Sequence, residues 1–145
     1  MKRFLFFSLL SILISGCSSS DDGRNNNPNL VDINFQYRLN IESAEFNQLQ
    51  FPGNQVAIYY EGVGIGGVVV YNVNNDLYLA FELSDPNHVP NPDCPGMTMN
   101  GIEATCSCED NVYNILTGEQ VKGNGDYAMK AYRVEKNGRF LTISN

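Results

Sequence analysis

The distribution of apolar and polar residues along the chain predicts β-strands. In DINFQYRLNI (residues 32–41) every second residue is apolar, which is the period of a strand with one buried face. Three shorter runs of β-branched and aromatic residues predict further strands: VAIYY (56–60), GVVVYNV (67–73) and LYLAFEL (77–83). Helical periodicity is almost absent, since only IESAEFNQL (41–49) could form a single turn or a bulged strand. The pattern therefore indicates an all-β fold, a small sandwich or barrel.

Turn residues separate these runs and mark two hairpins. NND (74–76) stands between GVVVYNV and LYLAFEL, and Asn137-Gly138 stands between the alternating halves of KAYRVEKNGRFLTIS (130–144). Residues 84–105 depart from the pattern, because this segment is irregular and rich in proline and asparagine. A loop of that length inside a compact domain indicates a functional or disulfide-closed excursion.

The N-terminus resembles the leader of a bacterial lipoprotein. Lys2 and Arg3 precede an apolar stretch (4–14) that is too short to span a bilayer as a helix but suits a secretory signal. The sequence ISGC that follows is similar to a lipobox, which in that family is cut before a cysteine that then receives lipid. We therefore expect a signal peptide at 1–16, a lipid on Cys17, a flexible polar tether at 17–30 and a β domain at 31–145.

This leader implies a place in the cell envelope, anchored to a membrane without crossing it. Asp21 and Asp22 resemble the acidic signals that send some Gram-negative lipoproteins to the outer surface, so an outer-membrane location is expected, on either the periplasmic or the surface face. Loss of residues 1–16 would remove two basic side chains and take the formal net charge from −7 to −9. An acidic chain without a basic stripe repels nucleic acid. The expected partners are the membrane, through the Cys17 lipid, and a protein of the envelope.

Two familiar site patterns are excluded by their context. GVGIGG (62–67) satisfies the G-x-G-x-x-G pattern, but a strand follows it where a dinucleotide site needs a helix, so we interpret it as a glycine-rich turn. DPNHVPNPD (85–93) holds acids and amides, yet it lacks the acidic spacing and the glycine of a calcium loop. His88 is the only histidine, so neither a serine triad nor the usual His/Cys zinc site can be assembled. We expect no catalytic residues.

The remaining cysteines predict a disulfide. With Cys17 lipidated, the chain keeps Cys94, Cys106 and Cys108, and thiols oxidise outside the cytoplasm. A bond between Cys106 and Cys108 would be strained because only one residue separates them. Cys94 can pair with either of the two, closing a loop of about a dozen residues that is worth roughly 3 kcal/mol. One thiol is then left free.

The second half of the chain resembles Rieske-type ferredoxin domains. CSCEDNVYNILTGEQV (106–121) is similar to their second loop, which reads Cys-Pro-Cys-His-Gly before an aromatic strand and Thr-Gly-x-Val, and YAMKAYRVEKNGRFLTIS (127–144) is similar to their C-terminal hairpin. LYLAFELSDPNH (77–88) resembles the strand that enters their first loop, normally Cys-Pro-His or Cys-Thr-His. The resemblance covers about residues 55–145. It implies a Rieske-like β-sandwich or barrel with a loop-rich, cluster-type subdomain at 84–111.

The resemblance also implies a set of site residues. Rieske clusters bind two cysteines on one iron and two histidines on the other, and these four positions correspond here to Asp85, Asn87, Cys106 and Glu109. The family's disulfide corresponds to Cys94–Cys108, with Cys94–Cys106 as the alternative. Three oxygen-donor side chains and one thiolate suit a sulfide-bridged cluster poorly. We therefore expect no cofactor.

Two function classes follow. The first is a membrane-anchored lipoprotein whose Rieske-like domain has lost its cluster and serves as a binding or structural component of the envelope. The alternative is an electron-transfer protein that holds a 2Fe–2S cluster with unusual ligands or a single zinc or iron ion. A shift of the first loop by one residue would give that single ion the ligands Asp85, His88, Cys106 and Glu109.

Overall fold

The computed structural model describes residues 27–145 and shows an all-β protein, as the sequence predicts. The predicted signal peptide (1–16), the lipidation residue Cys17 and the tether as far as residue 26 lie outside the described residues. Within residues 27–145, no helix has the length and apolar character needed to cross a membrane.

Within residues 27–145, ten strands form two antiparallel sheets. Their bounds are β1 (Gln36–Asn40), β2 (Gln55–Ile58), β3 (Val68–Asn74), β4 (Leu77–Glu82), β5 (Thr98–Asn100), β6 (Glu103–Thr105), β7 (Val112–Asn114), β8 (Gln120–Lys122), β9 (Ala131–Asn137) and β10 (Phe140–Ser144). The larger sheet has the order β1-β10-β9-β4-β3-β2, and the smaller has the order β5-β6-β7-β8. A larger sheet that carries a smaller, loop-bearing one agrees with the Rieske-like fold class expected from the sequence.

The long strands lie where the apolar patterns predict them, and the turns between them differ in detail. The NND turn joins β3 and β4 as expected. At the C-terminal hairpin Asn137 pairs with Phe140, so the turn residues are Gly138 and Arg139 and not Asn137-Gly138. Gly138 takes the positive φ of 59° that this tight turn needs. IESAEFNQL forms turns that lead into a 3₁₀ helix at Asn47–Gln50.

Alternation along the central strands separates two cores. Val68 and Val70 of β3 face a core built by the larger sheet, whereas Val69 faces a second core beneath the smaller sheet. The second core contains Phe81 and Leu83 at the end of β4 together with residues of the loops and the smaller sheet: Cys94, Met97, Ala104, Cys106, Tyr113, Ile115 and Met129. The loops are thus fixed by the same strands that fill the main core.

The smaller sheet is an excursion between two neighbouring strands. β4 and β9 pair directly through Ala80 and Tyr132, and all of β5–β8 lies between them in sequence. The segment 84–105, expected to be irregular throughout, ends in β5 and β6, which form a short hairpin. Three-residue strands show too little alternation to be recognised in the sequence.

The last residues of the predicted tether are packed against the domain, which corrects the boundary at residue 31. Asn27 and Asn29 each donate a side-chain hydrogen bond to the Pro86 carbonyl, at 2.7 and 2.9 Å. Asn27 and Leu30 are both buried. The polar composition of this part of the chain predicted a flexible tether, but the Pro86 carbonyl in the first loop accepts hydrogen bonds that hold Asn27 and Asn29 in place.

The GVGIGG segment is organised by a buried carboxylate. Ile65 N and Gly66 N donate to Glu82 at 2.7 Å each, and Ser84 N donates to it at the same distance. The Tyr132 hydroxyl adds a fourth donor at 2.5 Å. Because these amides bind Glu82 and β3 follows the segment, the glycine-rich turn is confirmed.

Candidate functional site

Asp85 lies at the centre of the contact between the two loops. It follows β4, is 4% exposed, and accepts hydrogen bonds from the Tyr113 hydroxyl at 2.6 Å and from Asn111 Nδ2 at 2.8 Å. The Asn87 backbone N–H donates to it at 2.9 Å. Burial alone would raise the pKa of Asp85, but these bonds and one from the Cys106 thiol outweigh it, so the pKa lies below its usual value. Asp85 is a carboxylate that the loops hold in its charged form.

Asn87 joins the first loop to the segment before β9. Its side-chain amide donates to the Tyr113 hydroxyl and to the Tyr127 carbonyl at 2.8 Å each, and its oxygen accepts from Tyr127 N at 3.0 Å. Gly125 packs so closely that a Cβ there would lie 2.0 Å from Asn87 Cγ. Asn87 is therefore a structural residue whose amide nitrogen and oxygen are both hydrogen-bonded inside the protein.

Three sulfur atoms meet beside this network. The disulfide joins Cys94 to Cys108, which is the pairing preferred from the sequence, and Cys106 is the free thiol. Cys106 is buried, and its Sγ lies 3.7 Å from Cys94 Sγ. The disulfide thus ties the first loop to the second, and the alternative partner Cys106 lies in van der Waals contact with it.

Cys106 has an environment with opposing effects. Burial raises the pKa of its thiol, and the Asp85 carboxylate adds to this, while backbone N–H groups of Cys108 and Glu109 donate to the sulfur and act in the other direction. The net direction is upward, which favours the protonated thiol. The pKa of the Tyr113 hydroxyl is also raised, by burial and by the adjacent Asp85.

The residues at the four Rieske ligand positions do not fit a 2Fe–2S cluster. Asp85 and Asn87 are committed to hydrogen bonds inside the protein, and Asn87 fills the space against Gly125. Glu109 is exposed, and only Cys106 offers the soft thiolate that such a cluster needs.

The structure also changes the predicted set for a single metal ion. One ring nitrogen of His88 and the Sγ atoms of Cys94 and Cys106 all lie within 4.8 Å of one another. Asp85 and Glu109, the other members of the predicted set, are not part of this group. The potential ligands that the fold brings together are therefore a histidine and two cysteines, one of which is in the disulfide.

An open groove of about 450 Å³ lies next to the network. Amide and acidic side chains line it, with Asn29 of the N-terminal segment on one side and Glu109, Asn124 and Asp126 on others. Asp93 and Asp110 are also exposed on the disulfide-linked loops. The loop end of the domain is thus polar and acidic.

Asn111, Tyr113 and Gly125 are site residues that sequence reasoning missed. Asn111 immediately precedes β7 and Tyr113 lies within it, two residues further along the extended chain, so both side chains reach Asp85 from the same face. That spacing is a signal, but it has meaning only once the acceptor, 26 and 28 residues earlier, is known.

Comparisons with known proteins give structural neighbours only. No protein-family model and no curated protein matches the chain. The solved structures to which it is similar include Sphingomonas yanoikuyae B1 ferredoxin, at 20% identity and TM-score 0.46, with 77% of this chain and 99% of that chain covered. They also include the ferredoxin of carbazole 1,9a-dioxygenase from Nocardioides aromaticivorans IC177, at 17% identity and TM-score 0.46, with 73% and 95% covered.

Proposed function

We propose that this protein is a lipid-anchored component of the bacterial cell envelope whose Rieske-like domain serves in binding or support of a protein complex, without a 2Fe–2S cluster. The observation that carries the proposal is the hydrogen-bonded state of Asp85 and Asn87, which occupy two of the four ligand positions. Hydrogen bonds and the Cys94–Cys108 disulfide link the two loops of this protein, whereas the family that the sequence resembles has iron between its loops in addition to a disulfide.

The energetics favour this network over metal binding at the same residues. For Asp85 to ligate iron it would have to release bonds from Tyr113, Asn111 and the Asn87 amide. Each hydrogen bond to a charged group is worth about 1.5–3 kcal/mol. A single remaining thiolate, Cys106, does not offset that loss, because cluster iron prefers sulfur to carboxylate or amide oxygen.

The N-terminal segment suggests where the loop end would work. Asn27 and Asn29 bind the first loop at Pro86, so the chain enters the domain beside the site. Asn27 lies ten positions after Cys17, and a chain of that length reaches at most about 36 Å. A lipid on Cys17 would therefore keep the loops close to the bilayer surface.

The exposed charge at the loop end supports a basic partner. Four acids project from the loops and the groove beside them: Asp93, Glu109, Asp110 and Asp126. Charge complementarity of this kind steers association and selects partners more than it adds affinity. A membrane-proximal envelope protein with a basic patch fits this surface.

Electron transfer is the second candidate, and the environment of Cys106 favours it. Backbone N–H groups of Cys108 and Glu109 donate to its sulfur, and hydrogen bonds of this type tune the potential of iron–sulfur centres. A protein of this class would hold a 2Fe–2S centre with unusual ligands and pass single electrons to an envelope or oxygenase partner.

Iron and sulfide analysis separates the two candidates. The full-length protein, purified in detergent, would be reconstituted anaerobically with iron and sulfide beside a variant with the family's ligands, Asp85→Cys, Asn87→His and Glu109→His. We expect the natural protein to stay colourless with neither iron nor labile sulfide, while the triple variant shows that the procedure can load this fold. Stoichiometric iron and labile sulfide in the natural protein would contradict the proposal and support electron transfer.

Lipid anchoring has its own test. Cys17→Ser should move the protein from the membrane fraction to the soluble fraction, and the N-terminal peptide of the natural protein should carry the mass of the attached acyl chains. An unmodified cysteine in membrane-associated protein would contradict the anchor. The cluster-free proposal for the domain would stand apart from that result.

A further inference from the structure

The sulfur of Cys106 and the disulfide sulfur of Cys94 have the spacing of two thiolates on one zinc ion. Zinc holds thiolates at about 2.3 Å with tetrahedral angles, which places two of them about 3.8 Å apart. Cys94 Sγ and Cys106 Sγ lie 3.7 Å apart, and a ring nitrogen of His88 completes a group within 4.8 Å. Three ligands of the preferred chemical type are therefore already near their bound positions.

Hydrogen bonds from neighbouring residues hold these three ligands in position. Asn91 Nδ2 lies 3.4 Å from His88 Nε2, and Asn91 Oδ1 accepts the Cys94 backbone N–H at 3.1 Å, so one asparagine contacts both. Cys106 N donates to the Asn111 carbonyl at 2.9 Å, which closes the second loop. Groups that fix a ligand's orientation raise its metal affinity, because less ordering is needed on binding.

We propose that reduction of the Cys94–Cys108 disulfide opens a zinc site formed by His88, Cys94, Cys106 and Cys108. A dithiol reductant transfers two electrons and two protons to the disulfide, becomes a disulfide itself, and leaves two thiols. Binding of Zn²⁺ then releases three protons as the three thiols become thiolates, while neutral His88 donates a ring nitrogen. Three cysteines and one histidine are a common ligand set for structural zinc.

Cys108 supplies the fourth ligand because reduction frees it beside the others. Its sulfur is bonded to Cys94 in the disulfide and its side chain is exposed, so it can rotate without disturbing the core. Asp85 is unsuited to this role, since Tyr113 and Asn111 occupy its oxygens. The zinc site and the disulfide are thus two alternative states of one cluster.

Cobalt spectroscopy tests the proposal with the metal alone. The full-length protein in detergent would be reduced anaerobically with a phosphine, desalted, and titrated with Co²⁺, whose visible bands report tetrahedral geometry and whose near-ultraviolet bands report thiolate ligands. We expect one equivalent of Co²⁺ to bind the reduced protein and none to bind the disulfide form. One equivalent of Zn²⁺ should then displace the cobalt.

Variants identify the ligands and keep the test decisive. Loss of a residue that only hydrogen-bonds to a metal ligand weakens binding by about 10- to 100-fold. His88→Ala and Cys94→Ser each remove a ligand and should weaken Co²⁺ binding by more than that. Glu109→Gln and Cys17→Ser are the matched controls and should bind as the natural protein does. Circular dichroism would confirm that each variant is folded. Because His88 is half-buried on a loop, His88→Ala should disturb folding the least.

Three results would overturn the proposal. They are a folded, reduced protein without thiolate–cobalt bands, equal binding by the disulfide form, and binding that depends on Glu109 but not on Cys94. None of them bears on the cluster-free function proposed above, which rests on Asp85 and Asn87.

Discussion

Tyr113 donates a 2.6 Å hydrogen bond to Asp85 Oδ1 and so links the smaller sheet to the loop that follows β4. Asn111 binds the other carboxylate oxygen at 2.8 Å, so both oxygens of Asp85 have a partner from the second loop. In the family that the sequence resembles, this position holds a cluster cysteine. In this protein the link between the loops includes buried hydrogen bonds to both oxygens of Asp85.

Removal of the Tyr113 hydroxyl should destabilise the fold. Tyr113→Phe is expected to lower the free energy of unfolding by about 1.5–3 kcal/mol, because a buried carboxylate loses a donor. Urea unfolding followed by circular dichroism measures this. Tyr71→Phe is the control, since that half-buried tyrosine on β3 has no hydroxyl hydrogen bond within residues 27–145; it should change stability by less than about 0.5 kcal/mol. Equal losses in the two variants would contradict the role of Tyr113.

Stability should fall at both ends of the pH range. Burial opposes ionisation of Asp85, but its hydrogen bonds lower the pKa below the usual 3.8, so its stabilising contribution is present above about pH 4 and is lost as the pH falls through the folded-state value. Burial and Asp85 raise the pKa of Tyr113 above 10.0, so stability is lost as the pH rises beyond about 10. Urea midpoints across the pH range measure both limbs. Asp85→Asn should flatten the acid limb and Tyr113→Phe the alkaline limb; unchanged limbs would refute the assignment.

The three sulfurs predict unequal effects of removing either disulfide cysteine. Cys94→Ser eliminates any bridge between the loops and should cost about 3 kcal/mol. Cys108→Ser leaves Cys94 and Cys106, whose sulfurs lie 3.7 Å apart, so under oxidising conditions it should form the Cys94–Cys106 bond and lose less. Alkylation of free thiols without reduction, followed by Glu-specific cleavage and tandem mass spectrometry, should label Cys106 in the natural protein and no thiol of the cluster in Cys108→Ser.

A methyl group at Gly125 should disturb the network through Asn87. Gly125→Ala places a Cβ 2.0 Å from Asn87 Cγ, and Asn87 cannot move away without breaking its bonds to Tyr113 and Tyr127. We expect a loss of about 1–3 kcal/mol in unfolding free energy. Asn124→Ala, at the exposed neighbouring position, is the control and should be almost neutral. A neutral Gly125→Ala would show that Asn87 is free to shift.

Replacement of the buried Glu82 carboxylate by an amide of the same shape should destabilise the fold. Glu82→Gln puts an amide NH₂ against the N–H groups of Ile65, Gly66 and Ser84, so at least one donor loses its acceptor. The expected loss in unfolding free energy is about 2–3 kcal/mol. Glu61→Gln, exposed beside the same glycine-rich turn, should have little effect. Thermal and urea unfolding of the pair would check this, and similar stabilities would contradict it.

The longer strands could be predicted because their signal is local. The alternation in residues 32–41 and the apolar runs of β3 and β4 reflect only which face of each strand is buried, and this can be recognised within the strand itself. The strands β5–β8 have three residues each, which is too short for a period to show, and their pairing depends on the core around Tyr113. Composition misjudged residues 27–30 for a similar reason, since the Pro86 carbonyl that binds Asn27 lies 59 residues away.

At the site, the sequence pointed to residues but not to the contacts that they make. Resemblance pointed to Asp85, Asn87 and Cys106, and to the Cys94–Cys108 bond that the structure contains. It could not show that Asp85 and Asn87 are saturated by Asn111, Tyr113 and Tyr127, because those contacts arise only when two loops close on each other. For the same reason Cys94, assigned to the disulfide, was not considered beside His88 as a metal ligand.

The excursion between β4 and β9 has a consequence for the length of the segment between these strands. Glu82 N donates to the Lys130 carbonyl at 2.9 Å, so the chain leaves and rejoins the larger sheet at adjacent points. Everything from Leu83 to Met129 therefore behaves as a cassette whose two ends already meet. Because closing a longer insertion between ends that already meet costs little extra free energy, the larger sheet constrains the length of this segment only weakly.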